Sequence, residues 1–397
     1  MKIAFVAPFY GSDAAGGAES ECRHTVLRLA ASGLDVEVFT TCLLDLQHDW
    51  GVNVHREGTT IEDGIKVHRF RAETPDLHLF GVLNQRLLCG ETLSPQEQEQ
   101  FIALHVNSFG LYRRLAEVSH EFDWFCFIPY LFGTTFHGTM ICPEKSILIP
   151  CLHDEGYARM DIMHALFERV ARVVYHSAAE QELARRLYGR AADKGVLLGE
   201  GINTDFESDG ERFRKRYGIA DPFILYAGRK DATKNVDVLI RHFMAGRAQF
   251  GKNVKLVMIG PGSLPIPETD VIVDLGFVPE QDKRDAHAAA LCLCQPSLNE
   301  SFSIVMMESW VCGTPCLVHE QCAVTRDHVV ASGGGLYFNT AAEFSGCVEY
   351  FLKNTEMARR MGEAGRKYVA NHFSWSTIVA RYRSEIFGLL DHSPSHI

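Results

Sequence analysis

The sequence predicts an α/β protein made of two doubly wound parallel-sheet domains, and three observations predict it. Apolar runs of strand length alternate along the chain with longer segments of helical period, the pattern of repeated βαβ units. The series runs through the first half and starts afresh at Phe223. Between the two lies a polar stretch, residues 203–221, dense in charge at Asp209, Glu211, Arg212, Arg214, Lys215 and Arg216. A length of 397 residues suits two or three domains, and 46% apolar residues is ample for packed cores.

In the first half, strands are expected at residues 2–7, 34–40, 65–70, 122–128, 146–152 and 170–175. A helix over 19–31 is periodic in Cys22, Val26, Leu27 and Ala30 and stops at Gly33. The longer stretch 75–121 contains a helix start at Ser94-Pro95-Gln96-Glu97, with Phe101, Leu104, His105 and Phe109 along one face. In the second half, strands are expected at 223–228, 254–259, 271–275, 291–294 and 315–318, and a helix starts near Asn235 with Val236, Leu239, Ile240 and Phe243 inward. The domains are placed at 1–205 and 206–374. A final segment, 375–397, reads as a helix over 375–390 with a frayed end over 391–397. No short-period repeat or low-complexity segment appears.

Composition excludes several classes. A net charge of −11 argues against a nucleic-acid binder, whose surface is normally basic. No run approaches the roughly 18 apolar residues of a spanning helix, and the opening apolar run is too short for a secretory signal, so a cytoplasmic protein is expected. The twelve cysteines are scattered without C-x2-C spacing and read as reduced packing thiols, Cys126, Cys151, Cys292, Cys294, Cys312 and Cys316 among them. The eighteen histidines show no H-x3-H pair on a convincing helix. No structural metal is expected.

The chemistry concentrates in Asn299-Glu300-Ser301-Phe302-Ser303-Ile304-Val305-Met306-Met307-Glu308. The preceding apolar run 290–294 ends at Gln295-Pro296-Ser297, the following one over 304–311 contains Glu308, and Gly313-Thr314-Pro315 stops it, so the segment reads as strand, loop and helix. Ligands of open α/β sheets bind outside the carboxyl ends of strands, where a helix N-terminus presents free amides to an anion. The amides of Ser303, Ile304 and Val305 would face a diphosphate, Glu300 the group beyond it, and Glu308 a ribose diol. The plainer alternative is a capping Glu300 and a solvated Glu308. Upstream, Arg229 and Lys234 follow another strand, and a fork donor and a point cation five residues apart suit two phosphates. Taken alone, they equally suit a solvated turn.

With these pieces together the chain resembles the retaining glycosyltransferases of family 4, which have the GT-B architecture. The matching motifs are Gly228-Arg229 with Lys234-Asn235, Gly260-Pro261-Gly262, Gly276-Phe277-Val278-Pro279, the Glu300 to Glu308 element, and Pro8 with Gly16-Gly17-Ala18-Glu19. The resemblance implies two Rossmann-like domains facing across a cleft, the nucleotide on the second and the acceptor mainly on the first, with the final segment 375–397 packing back on the first. It assigns the donor to Gly228, Gly260, Phe277, Val278, Ser303, Ile304, Val305 and Glu308, with Gly16 and Gly17 approaching the donor from the first domain. Gly16-Gly17 is not a dinucleotide fingerprint, because G-x-G-x-x-G is absent and the second strand ends in Thr40-Thr41 with no acidic residue.

His153, placed at a strand's carboxyl end, takes from the resemblance a role against the donor sugar, with Arg229, Lys234 and Glu300 as the other catalytic residues. Asp13 and Asp154 are weaker acceptor contacts. The implied reaction moves a hexose-type sugar from a UDP- or GDP-sugar to a glycan, lipid-linked or small-molecule hydroxyl with retention, needing neither cofactor nor metal. Glu300 either binds the sugar or acts as nucleophile. A GT-B phosphorylase and an inactive nucleotide-sugar-binding protein are the alternatives. Relatives that build surface polysaccharides at the inner membrane suggest peripheral contact there, for which Arg113-Arg114, Arg185-Arg186 and 212–216 are the basic clusters. Many relatives carry glycine where this chain has Ser301 and Ser303. The donor base and sugar, the acceptor hidden in 75–121 and the oligomeric state are not specified.

Overall fold

The computed structural model of the chain describes residues 1–14, 16–251 and 253–389. Its contacts divide it into two compact units, Met1–Gly201 with the segment from Ile378, and Ile202–Thr377. The first unit carries β1 (Lys2–Val6), β2 (Asp35–Thr41), β3 (Gly58–Glu62), β4 (Ile65–Phe70), β5 (Trp124–Phe127), β6 (Ser146–Leu148), β7 (Arg172–Tyr175) and β8 (Gly195–Leu197). They form one sheet in the order β3-β4-β2-β1-β5-β6-β7-β8. The second unit carries β9 (Phe223–Ala227), β10 (Lys255–Ile259), β11 (Ile272–Asp274), β12 (Cys292–Gln295), β13 (Cys316–His319) and β14 (Gly335–Phe338), in the order β11-β10-β9-β12-β13-β14.

Strands buried on both faces read as unbroken apolar runs, which is why β1 and β9 were legible. Ile3, Ala4, Phe5 and Val6 are wholly buried, and so are Phe223, Ile224 and Leu225. The helix Val236–Phe250 turns Val236, Leu239, Ile240, Phe243 and Phe250 into the core of the second unit, the spacing a helix on a sheet requires.

Four expectations are corrected. The first sheet is not wholly parallel, since β3 pairs antiparallel with β4. Asp63 and Gly64 join them with φ of 50° and 82°, the positive values that make Asp-Gly a hairpin turn. The strand expected over 146–152 stops at Leu148, since Pro150 has no N–H to continue the ladder, and His153 therefore stands in a loop. Phe109 does not share the face of Phe101, because one helix ends at Leu104 and another starts at Phe109, leaving that ring 65% exposed. The final helix spans only Trp375–Arg381, followed by a π-turn Tyr382–Ile386. Its last residues meet the first unit: Arg381 donates to the Leu197 and Leu198 carbonyls and Arg383 to that of Ser32. Leu390 and the tail 391–397 lie outside the described residues.

The stretch 75–121 folds as three helices, Leu77–Leu88, Pro95–Leu104 and Phe109–Val118, the second opened by a capping box between Ser94 and Glu97. Of the twelve cysteines, eight are buried and Cys89 is exposed, so packing accounts for most of them but not for Cys89.

Candidate active site

Strand order locates the site. In the second sheet the order reverses between β9 and β12, and a crevice opens at such a reversal outside the carboxyl ends. The loops after β9 and β12 carry Arg229 with Lys234 and Glu300. Asn235 Nδ2 ties these loops together by donating to the Pro296 carbonyl at 3.0 Å. Across them, Lys234 Nζ lies 2.7 Å from Glu300 Oε1, and Gln295 Nε2 donates to the same carboxylate oxygen at 3.3 Å. Arg229 remains about half exposed, 3.7 Å from Asp231, with its carbonyl held by the Tyr226 hydroxyl at 2.5 Å.

Glycines let three loops stack at this edge. A Cβ on Gly260 would sit 2.2 Å from the Gly228 carbonyl oxygen, and one on Gly262 would sit 2.3 Å from that of Lys230. Gly228 N–H donates to Ile259 and Gly260 N–H to Gly276, so the turn that follows β11 belongs to the same stack. Beyond it Phe277 is 85% exposed while Val278 is buried.

The helix Ile304–Val311 begins with no side-chain cap, which leaves its leading amides to a ligand or water. Ser303, just before it, has φ of 75°, the left-handed region in which glycine fits without strain. Ser303, one of the two serines at which the family resemblance leads one to expect glycine, therefore holds a strained position. Glu308, one turn into the helix, is held by Lys283 Nζ at 2.9 Å. Burial alone would lower the pKa of Lys283, but Glu308 and Glu280 hold it raised. Glu308 is thus not the solvated residue of the plainer alternative, and a ribose diol seated there would share that carboxylate with Lys283.

In the first unit the order reverses between β1 and β5, and the loop after β1 holds Asp13, Gly16 and Gly17. Gly17 opens the uncapped helix Gly17–Ala31, and a Cβ there would meet no atom within 4 Å. Asp13 is exposed, 3.9 Å from His55. Arg69, 5% exposed, donates to the Tyr10 carbonyl at 2.7 Å and to Glu62, and so anchors this loop to the hairpin. Beyond β6, His153 is half-buried and its carbonyl accepts from Glu155 N–H at 3.0 Å. Both oxygens of Asp154 are taken by Arg159 and Arg186, so an acceptor hydroxyl would compete with two guanidinium groups. Burial raises the Glu155 carboxyl to about 7, and the Tyr130 hydroxyl donates to it at 3.0 Å.

Sequence reasoning missed Lys283, Gln295, Arg69 and Glu155. Glu155 had a signal in its place beside His153, and Gln295 in ending the strand before Glu300; Lys283 and Arg69 come from separate elements. Four arginines of the basic clusters are paired within the chain: Arg212 with Asp285, Arg216 with Asp282, Arg114 with Glu117 and Arg185 with Asp193. Among the described residues, no helix is long and apolar enough to cross a membrane.

Comparison with known proteins agrees with this geometry. The family described as Glycosyl transferases group 1 matches residues 209–368, and Glycosyl transferase 4-like domain matches 16–201. D-inositol 3-phosphate glycosyltransferase 1 of Catenulispora acidiphila is 24% identical over 95% of this chain and 93% of its own. Sucrose-phosphate synthase from Thermosynechococcus elongatus superposes with a TM-score of 0.72 at 16% identity, covering 98% of this chain and all of that one. Anabaena HepE, solved in complex with UDP-glucose, gives 0.69 at 18% identity, again over 98% of this chain and all of the other. Fold and site together define a GT-B glycosyltransferase that takes its sugar from a nucleotide sugar. The chain belongs to the group 1 glycosyltransferases, with a family 4-like first half.

Proposed function

We propose that the protein is a retaining hexosyltransferase that uses a UDP- or GDP-sugar, requires no metal, and glycosylates a glycan, lipid-linked or small-molecule hydroxyl on the cytoplasmic side. The observation that carries this reading is the Lys234–Glu300 pair, 2.7 Å across two switch-point loops, beside half-exposed Arg229 and an uncapped helix start. A diphosphate seated there meets two cations and the amides of Ser303, Ile304 and Val305, which stabilise the charge that grows as the glycosyl bond breaks. The C1–oxygen bond to the diphosphate breaks, its electron pair going to the phosphate oxygen. The acceptor oxygen bonds C1 on the same face, and its proton passes to the departing phosphate. Glu300 then has its carboxylate beside the sugar hydroxyls, Glu308 shares the ribose with Lys283, and Phe277 with Val278 borders the base. On the first unit, His153 and Gly16-Gly17 keep the sugar-facing role that the family resemblance gives them.

The relatives favour this chemistry in kind: HepE was solved with UDP-glucose, and the Catenulispora enzyme is named for a small phosphorylated acceptor. Arg185, Arg212 and Arg216 each pair with a carboxylate, which weakens the case for contact with anionic lipid at these clusters. A thermal-shift screen of nucleoside diphosphates and their sugars is expected to show stabilisation by one base. Chelator should leave turnover intact, and the product anomer read by NMR should match the donor. Failure of every nucleotide to stabilise the chain sinks the proposal, and Glu300→Ala should abolish donor hydrolysis.

A further inference from the structure

At the carboxyl ends of β6, β7 and β8 a single histidine is closed in by three carboxylates. His176 follows the last residue of β7, and its side chain is wholly buried. Nε2 stands 2.6 Å from Glu21 Oε1 on the helix Gly17–Ala31. Nδ1 stands 3.8 Å from both Glu180 Oε2, on the helix Ala178–Tyr188, and Glu200 Oε1, in the segment after β8. Two further titratable groups face this cluster. Cys151 directs Sγ toward Glu21 Oε2 at 3.6 Å, and buried Tyr382, from the C-terminal segment, interacts electrostatically with Glu21, Glu200 and Cys151.

The cluster continues into backbone. Glu180 accepts the His176 N–H at 2.6 Å with one oxygen and the Leu152 N–H at 2.7 Å with the other. Cys151, immediately before, has φ of 52°, a left-handed conformation that a β-carbon normally avoids. An unbroken set of contacts thus runs from the helix that opens at Gly17, through Glu21, His176 and Glu180, to Leu152, the neighbour of His153.

A neutral imidazole would take away the cation that faces buried Glu21 and Glu180, which burial away from water makes unfavourable. Burial by itself would lower the pKa of His176, but Glu21 and Glu180 more than offset it and raise it to about 10. A metal shared by Glu21, Cys151 and His176 is disfavoured by distance. Oxygen and nitrogen ligands about 2.0–2.1 Å from one tetrahedral zinc lie about 3.3 Å apart, whereas Glu21 and His176 are at hydrogen-bonding separation.

We propose that His176 is a positioning residue: as an imidazolium it locks the helix that begins at the glycine loop to the segment that presents His153. The inference rests on the reading that Gly16-Gly17 and His153 meet the donor sugar. It adds that their placement depends on one buried proton.

The test uses the full chain, labelled with ¹⁵N-histidine, and three kinetic samples. The ring nitrogens of His176 should keep imidazolium shifts at pH 8.5 while exposed histidines are neutral; a neutral His176 at that pH overturns the proposal. His176→Gln is expected to lower kcat about tenfold to a hundredfold with donor KM within about twofold, because the groups that bind the nucleotide lie on the other unit. His153→Ala is the reference. If it loses activity while His176→Gln retains full kcat, the inference fails and the reading of His153 stands; if His153→Ala is fully active, that reading fails and the inference with it. Should His176→Gln not fold, the ring titration of the unmodified protein still decides the question.

Discussion

Lys234 and Glu300 hold each other at 2.7 Å with only 23% and 11% of their side chains exposed, and a diphosphate would draw the ammonium partly away from its carboxylate. Lys234→Ala should lower kcat by about 10²–10³, the usual loss when one preorganised partner of a developing anion is removed. Steady-state kinetics checks this, and a loss below about twofold would place the diphosphate elsewhere. Glu155 offers a pH experiment at the same scale. Its folded pKa of about 7 lies above the ordinary 4.5. Its contribution to stability is therefore present below 4.5 and is lost as pH rises through 7. Glu155→Gln should be more stable than the parent at pH 8 by about 1–2 kcal/mol, discounting for partial exposure, with the difference vanishing toward pH 5. Denaturant melts at the two pH values would show it; an equal difference at both would mean that Glu155 does not titrate in this range.

At the scale of elements, the start of the helix Ile304–Val311 combines an uncapped N-terminus with a strained Ser303. Strain at such a point is tolerated when the surroundings over-determine it, here through the Gln295 contact to Ser303 Oγ at 3.3 Å. Ser303→Gly should raise stability by about 1 kcal/mol, since glycine reaches that φ without a β-carbon clash. A fall in melting temperature would show that the hydroxyl matters more than the backbone. The hairpin of β3 and β4 shows how far elements are readable from sequence. Asp63-Gly64 is a strong turn signal, but the strand it creates, Gly-Thr-Thr-Ile-Glu, is exposed along its length and lacks the apolar run by which its neighbours were recognised. Similarly β8 and β14, of three and four residues, are set by pairing with the more buried β7 and β13 rather than by their own composition.

At the scale of the molecule, the two units have separate cores, around Phe125 and Phe127 and around Phe243 and Phe344 respectively. Chains built this way commonly unfold in more than one step. Calorimetry should resolve two transitions, and a saturating nucleoside diphosphate should raise only that of the unit Ile202–Thr377. At a ligand concentration a hundred times Kd the gain would be about 2.7 kcal/mol. An equal shift of both transitions would argue against a donor site built from the second unit alone.

Periodicity and short motifs determined the fold class, most strands to within a few residues, and the residues worth testing, because burial on both faces and phosphate-binding loops write themselves into contiguous sequence. Arg229, Lys234 and Glu300 were legible since the first two follow one strand and the third follows another. Only tertiary structure decided what each charge touches. That Glu300 takes Lys234, that Glu308 is held by Lys283 on another helix, and that Glu21 reaches His176 are contacts between residues 25 to 155 positions apart. Long-range pairing of charge leaves no local period, so it appears only when the sheets are assembled.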